Sequence, residues 1–479
     1  MIVHKFGGTS VGDAERIVNV SQIICNSRRE RPTVVVVSAI GGVTNRLIAV
    51  ARAAAGGDRE AVDRVREEIA RIHLDIADAL PEGGPDRSAT SEAVRRRIDR
   101  LSRFLESLAV LGELTARGHD AVVAFGEHLS ADLLAATVRS RGVDATAVSA
   151  TELIVTDGVH GAAKPQMAPT KANVADRVLP LCDDGIVPII TGYVGATPDG
   201  VTTTLGRSGS DYSAAVIAAC VGANELRIWT DVNGILTADP NVVPDARILR
   251  ELTYQEAAQL ARFGAEVLHP RTIGPIVESC IPLRIVNSFD PTDPGTCVMS
   301  GSDSRRRLWP SIISASDLRL LPLRAGTAGW RLESAAFALR TLADAGIDVL
   351  MFSQSVSEQG LLLVVRKEDV VEAERRLCTS AEATVSPLDP APPAAGAGGW
   401  AFDSIEPVGT VSVVGFGTQG NHTVASRAFA ALGEHGVPVL AVTQAALEDS
   451  VSFCVRESAV PDTVRLLHRA LGLEPCDAR

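Results

Sequence analysis

A chain of 479 residues, 46% of them apolar, is too long for one ordinary domain and apolar enough to bury a sizeable core, so disorder is excluded for most of it. Asp and Glu outnumber Lys and Arg by 58 to 46, a net charge of −12 with no Lys/Arg-rich block, which argues against nucleic acid and anionic membrane as partners. The eight scattered cysteines show neither CxxC nor a Cys/His metal spacing, so reduced thiols in a cytosolic protein without a metal centre are expected.

The opening MIVHKFGGTS carries no secretory pattern, and no apolar run approaches about 18 residues, so no membrane span is expected. From there to residue 310, short apolar β-branched runs alternate with helical periods. The predicted strands are Ile2–Lys5, Thr33–Ser38, Ala121–Ala124, Pro188–Gly192, Glu225–Thr230 and Leu283–Val286. Continuous runs this short suit a doubly wound, mainly parallel sheet with helices on both faces. Between Gly56 and Leu114 the sequence is charged and helical in period, broken by the turn cluster Pro81-Glu82-Gly83-Gly84-Pro85. A helical insertion over one side of the sheet is expected there.

A second region begins near Ile312 and repeats one plan. Its first copy has a Gly-containing loop (Arg324–Gly329), a helix near Ser334–Ala345 and strands near Asp348–Ser353 and Leu361–Val365. The second copy has strand Thr410–Val414, loop Gly415–Gly420, a helix near Val424–Glu434 and strands Pro438–Thr443 and Val451–Val455. Matching phrases beginning Ser353-Gln354 and Thr443-Gln444 follow each middle strand, and the Pro/Ala/Gly stretch 390–399 separates the copies as a linker or loop. Two copies are too few for a solenoid and indicate paired α+β, ferredoxin-like modules. The expected division is a domain over residues 1–310, a module over 315–400, and a second over 401–479, possibly inserted in the first.

Five stretches carry candidate chemistry. Lys5-Phe6-Gly7-Gly8-Thr9-Ser10 joins a strand to a helix through glycines, which lets backbone N–H groups approach phosphate oxygens at a helix N-terminus. It is not a Walker A loop, and a plain strand–turn–helix corner is the structural alternative. Ser38-Ala39-Ile40-Gly41-Gly42-Val43-Thr44 repeats that plan, with Ser38 and Thr44 as substrate contacts or Thr44 as a helix cap. Phe125-Gly126-Glu127-His128 follows the predicted strand Ala121–Ala124, so Glu127 would face a ligand crevice at a strand edge and hold an amino group; a first-turn helix acid is the alternative. Leu205-Gly206-Arg207-Ser208-Gly209-Ser210-Asp211 sets one Arg and one Asp among small residues before an apolar helix, and Arg207 offers a fork for a carboxylate. Trp229-Thr230-Asp231 ends a strand and suits a nucleotide, though taken alone a simple turn accounts for it better.

Together KFGGTSV, SAIGGVTN, FGEHLS, LGRSGSDYSAA, WTDVNGILTADP and RFGAEVLHPRT occur in the order of the aspartate kinases, which are amino-acid kinases carrying C-terminal ACT domains. The resemblance covers nearly the whole chain and looks closest to the threonine-sensitive type fused to homoserine dehydrogenase, without a counterpart of the dehydrogenase portion in these residues. It implies an ATP-dependent phosphotransferase acting on the side-chain carboxylate of L-aspartate, feedback-regulated and oligomeric through its ACT modules. It implies Lys5 and Asp211 at the phosphoryl-transfer site, and Ser38, Thr44, Glu127, Arg207 and Ser210 around aspartate. Gly7, Gly8, Thr9, Thr230, Asp231 and Leu236 would contact Mg-ATP, together with positions 241 and 266. There the family's basic residues are replaced by Asn241 and Glu266, so weaker ATP binding is expected. Gln354 and Gln444 would contact the effector, threonine in preference to lysine. An aspartate analogue as substrate, or a weakly active regulatory paralogue, are the competing readings. Gly415-Phe416-Gly417-Thr418-Gln419-Gly420 mimics a dinucleotide fingerprint, but Thr443-Gln444 stands where an acidic residue is required, so it reads as an ACT loop.

Overall fold

The structure, a computed structural model, describes residues 1–80, 85–262, 270–300, 310–324, 332–355, 360–382, 401–402, 405–415, 422–444 and 450–473. Most of the turn cluster at 81–85, the two Gly loops beyond Arg324 and Gly415, the 390–399 linker, Glu266 and the later parts of the two matching phrases lie outside the described residues. The chain forms two compact units: Met1–Ile235 with Arg250–Ala258 and Glu266–Ser302, and Leu236–Leu249 with Gln259–Ala265 and Asp303–Arg479.

In the first unit the strands are β1 (Ile2–Phe6), β2 (Thr33–Val37), β3 (Ala145–Val148), β4 (Val187–Thr191), β5 (Val194–Ala196), β6 (Thr202–Thr204), β7 (Glu225–Thr230), β8 (Glu251–Thr253), β9 (Leu283–Asn287) and β10 (Thr296–Met299). The main sheet runs β3-β4-β2-β1-β7-β9-β10-β8; every neighbouring pair from β3 to β9 is parallel, and β10 turns antiparallel to β9. The central strands β1, β2 and β4 are buried along their whole length, as expected where helices cover both faces. Helices α1 (Ala14–Glu30), α2 (Val43–Ala55), α3 (Arg59–Asp78), α4 (Pro85–Leu111) and α5 (Ala116–Arg139) share one hydrophobic cluster with β2 and β4. After α6 (Met167–Arg177) and α7 (Leu179–Asp183), α8 (Gly209–Val221) packs on β1, β2 and β7, with α6 and α10 (Pro270–Glu278) against it; α9 is Tyr254–Arg262.

One predicted strand is wrong. Ala121–Ala124 lies inside α5. A four-residue apolar run cannot distinguish a strand from a buried helix segment, and here apolar positions continue at helical spacing through Leu129, Leu133, Leu134 and Val138. By length and composition α5 could cross a membrane, but 78% of its apolar window is buried, which makes it a core helix of this unit.

In the second unit, β11 (Ser311–Arg324), α11 (Leu332–Asp344), β12 (Met351–Ser355), β13 (Gly360–Arg366), α12 (Val370–Glu382) and β14 (Ala401–Phe402) are followed by β15 (Glu406–Val414), α13 (His422–Glu434), β16 (Val439–Gln444), β17 (Ser450–Arg456) and α14 (Val460–Ala470). One sheet runs β12-β13-β11-β15-β17-β16, with β14 on β11. The long strand β11 is shared: Ser311–Ala315 pairs only with β15, Leu318–Leu320 pairs with both β13 and β15, and beyond that β11 pairs with β13 and β14. Each half of the sheet therefore has the ferredoxin-like strand order, and the half built on β15 takes its outer strand from chain that precedes the other half. Leu350, just before β12, and Leu440, within β16, join one cluster with Leu318, Val364, Val408 and Cys454.

Candidate active site

Lys5 and Phe6 end β1, Thr230 ends β7 and Ser38 follows β2, so the carboxyl ends of adjacent parallel strands gather these residues at one edge, where open α/β sheets bind ligands. A network beneath fixes β1. His4 is fully buried and stacks with Phe6 and Trp229. The Trp229 Nε1–H donates to His4 Nδ1 (2.9 Å), so the imidazole proton sits on Nε2, facing Ser27 Oγ at 2.8 Å. Burial, helped by Arg227 and Arg31, holds His4 down to about 3, so it stays neutral.

Above it, the two Gly-Gly turns dock on each other. Gly41 N–H donates to Gly8 O (3.1 Å), and a Cβ on Gly8 would lie 2.8 Å from Ala39 O. Only glycine leaves the backbone open at this point. A third turn enters α8: Gly206 (φ 80°) and Ser208 (φ 53°) take left-handed conformations, and a Cβ on Gly209 would sit 2.5 Å from the Tyr193 ring. Asp211 then falls in the first turn of α8, where the helix dipole favours a carboxylate.

These turns close around a cavity of about 460 Å³ lined by Lys5, Gly8, Ser38, Gly41, Gly42, Thr44, Glu127, Tyr193, Arg207, Ser210 and Asp211, among others. Lys5 Nζ lies 2.6 Å from Asp211 Oδ1, and Lys5 is only 8% exposed. Arg207 is exposed at the rim. Glu127 enters from α5, not from a strand edge, and it sits far beyond that helix's first turn. Its Oε1 accepts from Ala39 N–H (3.3 Å), and its buried Oε2 has no hydrogen-bond partner among the described residues. Burial pushes Glu127 up to about 8, against which the Ala39 hydrogen bond works only partly. Thr44 caps nothing; α2 begins at Val43 with Gly42 as its cap, and Thr44 lines the cavity instead.

The expected nucleotide residues divide. Gly8 lines the cavity, and Gly7 lies alongside, where a Cβ would be 3.7 Å from Lys5 Nζ. Thr9 is exposed, its carbonyl accepting from Arg16 (2.9 Å). Thr230 ends β7 and exposed Asp231 follows it, with Thr230 Oγ1 donating to Asp231 Oδ1 (3.1 Å). Leu236 and Asn241 belong to the second unit, where Leu236 bridges Ile248 and Asn241 N–H donates to Asp239 Oδ1 (2.9 Å). Gln354 and Gln444 are exposed on β12 and β16.

Sequence reasoning missed Tyr193 and Asp120. Tyr193 follows β4 at the same sheet edge, so its place after a predicted strand could have revealed it. Asp120 is fully buried on α5 and accepts from Thr204 Oγ1 (2.6 Å), Thr204 N–H (3.1 Å), Gly161 N–H (3.1 Å) and His160 Nδ1 (2.8 Å). It ties the 160–161 loop to the strand that leads into Arg207. Asp120 and Glu127 are two helical turns apart on one face of α5, a spacing that a strand at 121–124 conceals.

This geometry is that of a doubly wound α/β protein with a ligand-sized cavity between two glycine turns and a helix N-terminus at the carboxyl edge of its sheet. Residues 1–287 match the amino acid kinase family and residues 411–471 match an ACT domain. The chain belongs to the amino acid kinase family, and its relatives within it are aspartokinases. It is 30% identical to aspartokinase 2, chloroplastic, of Arabidopsis thaliana over 98% of this chain and 84% of that protein. It is 29% identical to the bifunctional aspartokinase/homoserine dehydrogenase of Haemophilus influenzae, matching 98% of this chain but 56% of that longer protein. Its fold is similar to that of E. coli aspartokinase III in complex with aspartate and ADP (R-state), with TM-score 0.82, 27% identity, and coverage of 98% of this chain and 99% of that one. Against the same enzyme in complex with lysine and aspartate (T-state) the TM-score is 0.77 at 28% identity, with 98% and 99% covered.

Proposed function

We propose that this chain is an aspartate kinase, transferring the γ-phosphoryl group of Mg-ATP to the side-chain carboxylate of L-aspartate to give 4-phospho-L-aspartate and ADP. The observation that carries this reading is the convergence of the Lys5–Asp211 ion pair, Arg207 and the half-partnered Glu127 on one cavity. Glu127 takes the α-ammonium, whose charge replaces the missing partner of Oε2; Arg207 grips the α-carboxylate by its fork. That leaves the side-chain carboxylate to attack phosphorus in line. It is already ionised near pH 7 and needs no strong base, so positioning and charge stabilisation do the chemistry. Lys5 meets charge on the transferring group. Gly7 and Gly8 present backbone to the phosphates, with Thr230 and Asp231 beside them. Mg²⁺ would be held chiefly through the substrate phosphates, and Asp211, paired with Lys5, organises the site.

The product feeds lysine, threonine and methionine synthesis in a cytosolic, homo-oligomeric enzyme. An amino-acid effector acts through the ACT modules at Gln354 and Gln444, and threonine is favoured because several matched relatives are the homoserine-dehydrogenase-fused type. Asn241 and Glu266 weaken ATP affinity, which Asn241→Arg with Glu266→Lys should restore as a lower ATP KM. The test of the whole reading is hydroxamate formation from aspartate, ATP and hydroxylamine. Arg207→Ala should raise the aspartate KM strongly with the ATP KM nearly unchanged. No hydroxamate from the parent chain, or an aspartate KM indifferent to Arg207, would reject it.

A further inference from the structure

A second cavity, of about 560 Å³, opens on the first unit between α4, α5 and the edge strand β3. It shares no lining residue with the cavity around Lys5. In a chain of net charge −12, four guanidinium groups and one carboxyl group line it: Arg96, Arg97, Arg100, Arg139 and Asp132. Asp132 is spent on Arg97, which it meets through both oxygens. Arg96 has a Glu92 partner one turn back on the same helix, with both side chains more than 60% exposed. Arg100 has neither a hydrogen bond nor an ion pair among the described residues. Burial chiefly, then the charge of Arg97, with Asp132 opposing and a smaller push from Arg100, holds nearby His128 down to about 4.

Arg96 and Arg100 are four residues apart, about 6 Å along α4, so both reach the same side of the cavity. Two guanidinium forks at that separation suit adjacent phosphoryl groups, each taken by paired N–H donors. Thr90 and Thr146 add hydroxyls to the lining, and no aromatic side chain is there to stack on a base. We infer that this cavity is a second anion site, which takes a small molecule through a di- or triphosphate group and not through a base.

Inorganic triphosphate is the probe, titrated calorimetrically in metal-free buffer into the full chain carrying Lys5→Met, which removes the ammonium that would hold phosphate in the Lys5 cavity. One triphosphate per chain should bind, more weakly as salt rises. Arg96→Ala with Arg100→Ala should weaken binding by about tenfold or more in that background, and introduced alone should leave kcat with ATP and aspartate and the melting temperature near the parent values. Arg64→Ala with Arg71→Ala removes the same charge from exposed positions on α3 and should change binding by less than about twofold. No binding to the Lys5→Met chain would overturn the site. Equal weakening by both double variants would overturn it too, since a diffuse field would then explain the affinity. Citrate displacing triphosphate at equal concentration would overturn the phosphate assignment.

Discussion

Glu127 is raised to about 8 by burial, against an ordinary value of 4.5, and the sign of its effect on stability follows. The folded, ligand-free chain holds this proton more tightly than the unfolded chain. Stability from this group is complete below about pH 4.5 and is lost as pH rises towards about 8. Under the proposed function, aspartate should reverse that loss, its ammonium supplying the charge that Glu127 lacks. The expected outcome is that kcat/KM for aspartate rises with pH and levels off near pH 8. Glu127→Gln should remove that inflection, raise KM and flatten the fall in melting temperature between pH 5 and pH 8; an unchanged inflection in the variant would assign it elsewhere. Lys5 and Asp211, 2.6 Å apart, are expected to act in the transition state. Lys5→Met and Asp211→Asn should each lower kcat by about 100-fold or more while both KM values move little. A variant that kept most of its kcat would end that assignment.

Helix α5 shows how an element sets a site. Gly126, next to Glu127, is where the helix meets the second glycine turn: a Cβ there would lie 2.8 Å from Ala39 Cβ and 3.2 Å from Leu47 Cδ1. Replacing a helix-interior glycine with alanine gains up to about 1 kcal/mol in propensity. Forcing a methyl group into a packed contact costs about 1–3 kcal/mol, so the clash wins. Gly126→Ala should therefore lower the melting temperature and raise the aspartate KM, because the 3.3 Å bond between Glu127 and Ala39 must lengthen. A higher melting temperature with an unaltered KM would mean that α5 is free to move away from the turn.

At the scale of the whole molecule, each unit is closed by chain remote in sequence. In the second unit, Gly409 of β15 sits where Ala315 and Val460 converge: an added Cβ would be 2.3 Å from Val460 Cγ2 and 2.8 Å from Ala315 O. The segment 236–249 joins the same assembly, with Ala238 and Val243 in one cluster with Val411, Phe453 and Leu467. Thr237 Oγ1 pairs with buried His468 Nε2 at 3.1 Å. Gly409→Ala, by prising β15 from β11 and α14, should cost about 1–3 kcal/mol, read as a lower denaturation midpoint at an unchanged slope. A midpoint equal to the parent's would show that Val460 yields without cost.

Local pattern alone determined β1, β2, β4, β7 and β9, though not β3, together with the helical insertion and the glycine turns, because a buried β-branched run or a strand–Gly-Gly–helix junction needs no distant partner to be read. Lys5, Ser38, Arg207, Ser210 and Asp211 were legible for the same reason: each follows a strand or opens a helix, and a parallel sheet carries all such positions to one edge. Glu127 was legible as a residue but not as a place on a helix, since a short apolar run fits either period. Only the tertiary structure decided that Asp120, buried and silent in the sequence, ties a loop to β6 with one carboxyl group, because its partners at 160, 161 and 204 are assembled by folding. Only the tertiary structure decided that β11 is divided between two half-sheets and that four arginines from two helices surround one cavity. Strand pairing and side-chain convergence at such separations are set by which surfaces the packed core brings together, and no window of sequence contains both sides of those contacts.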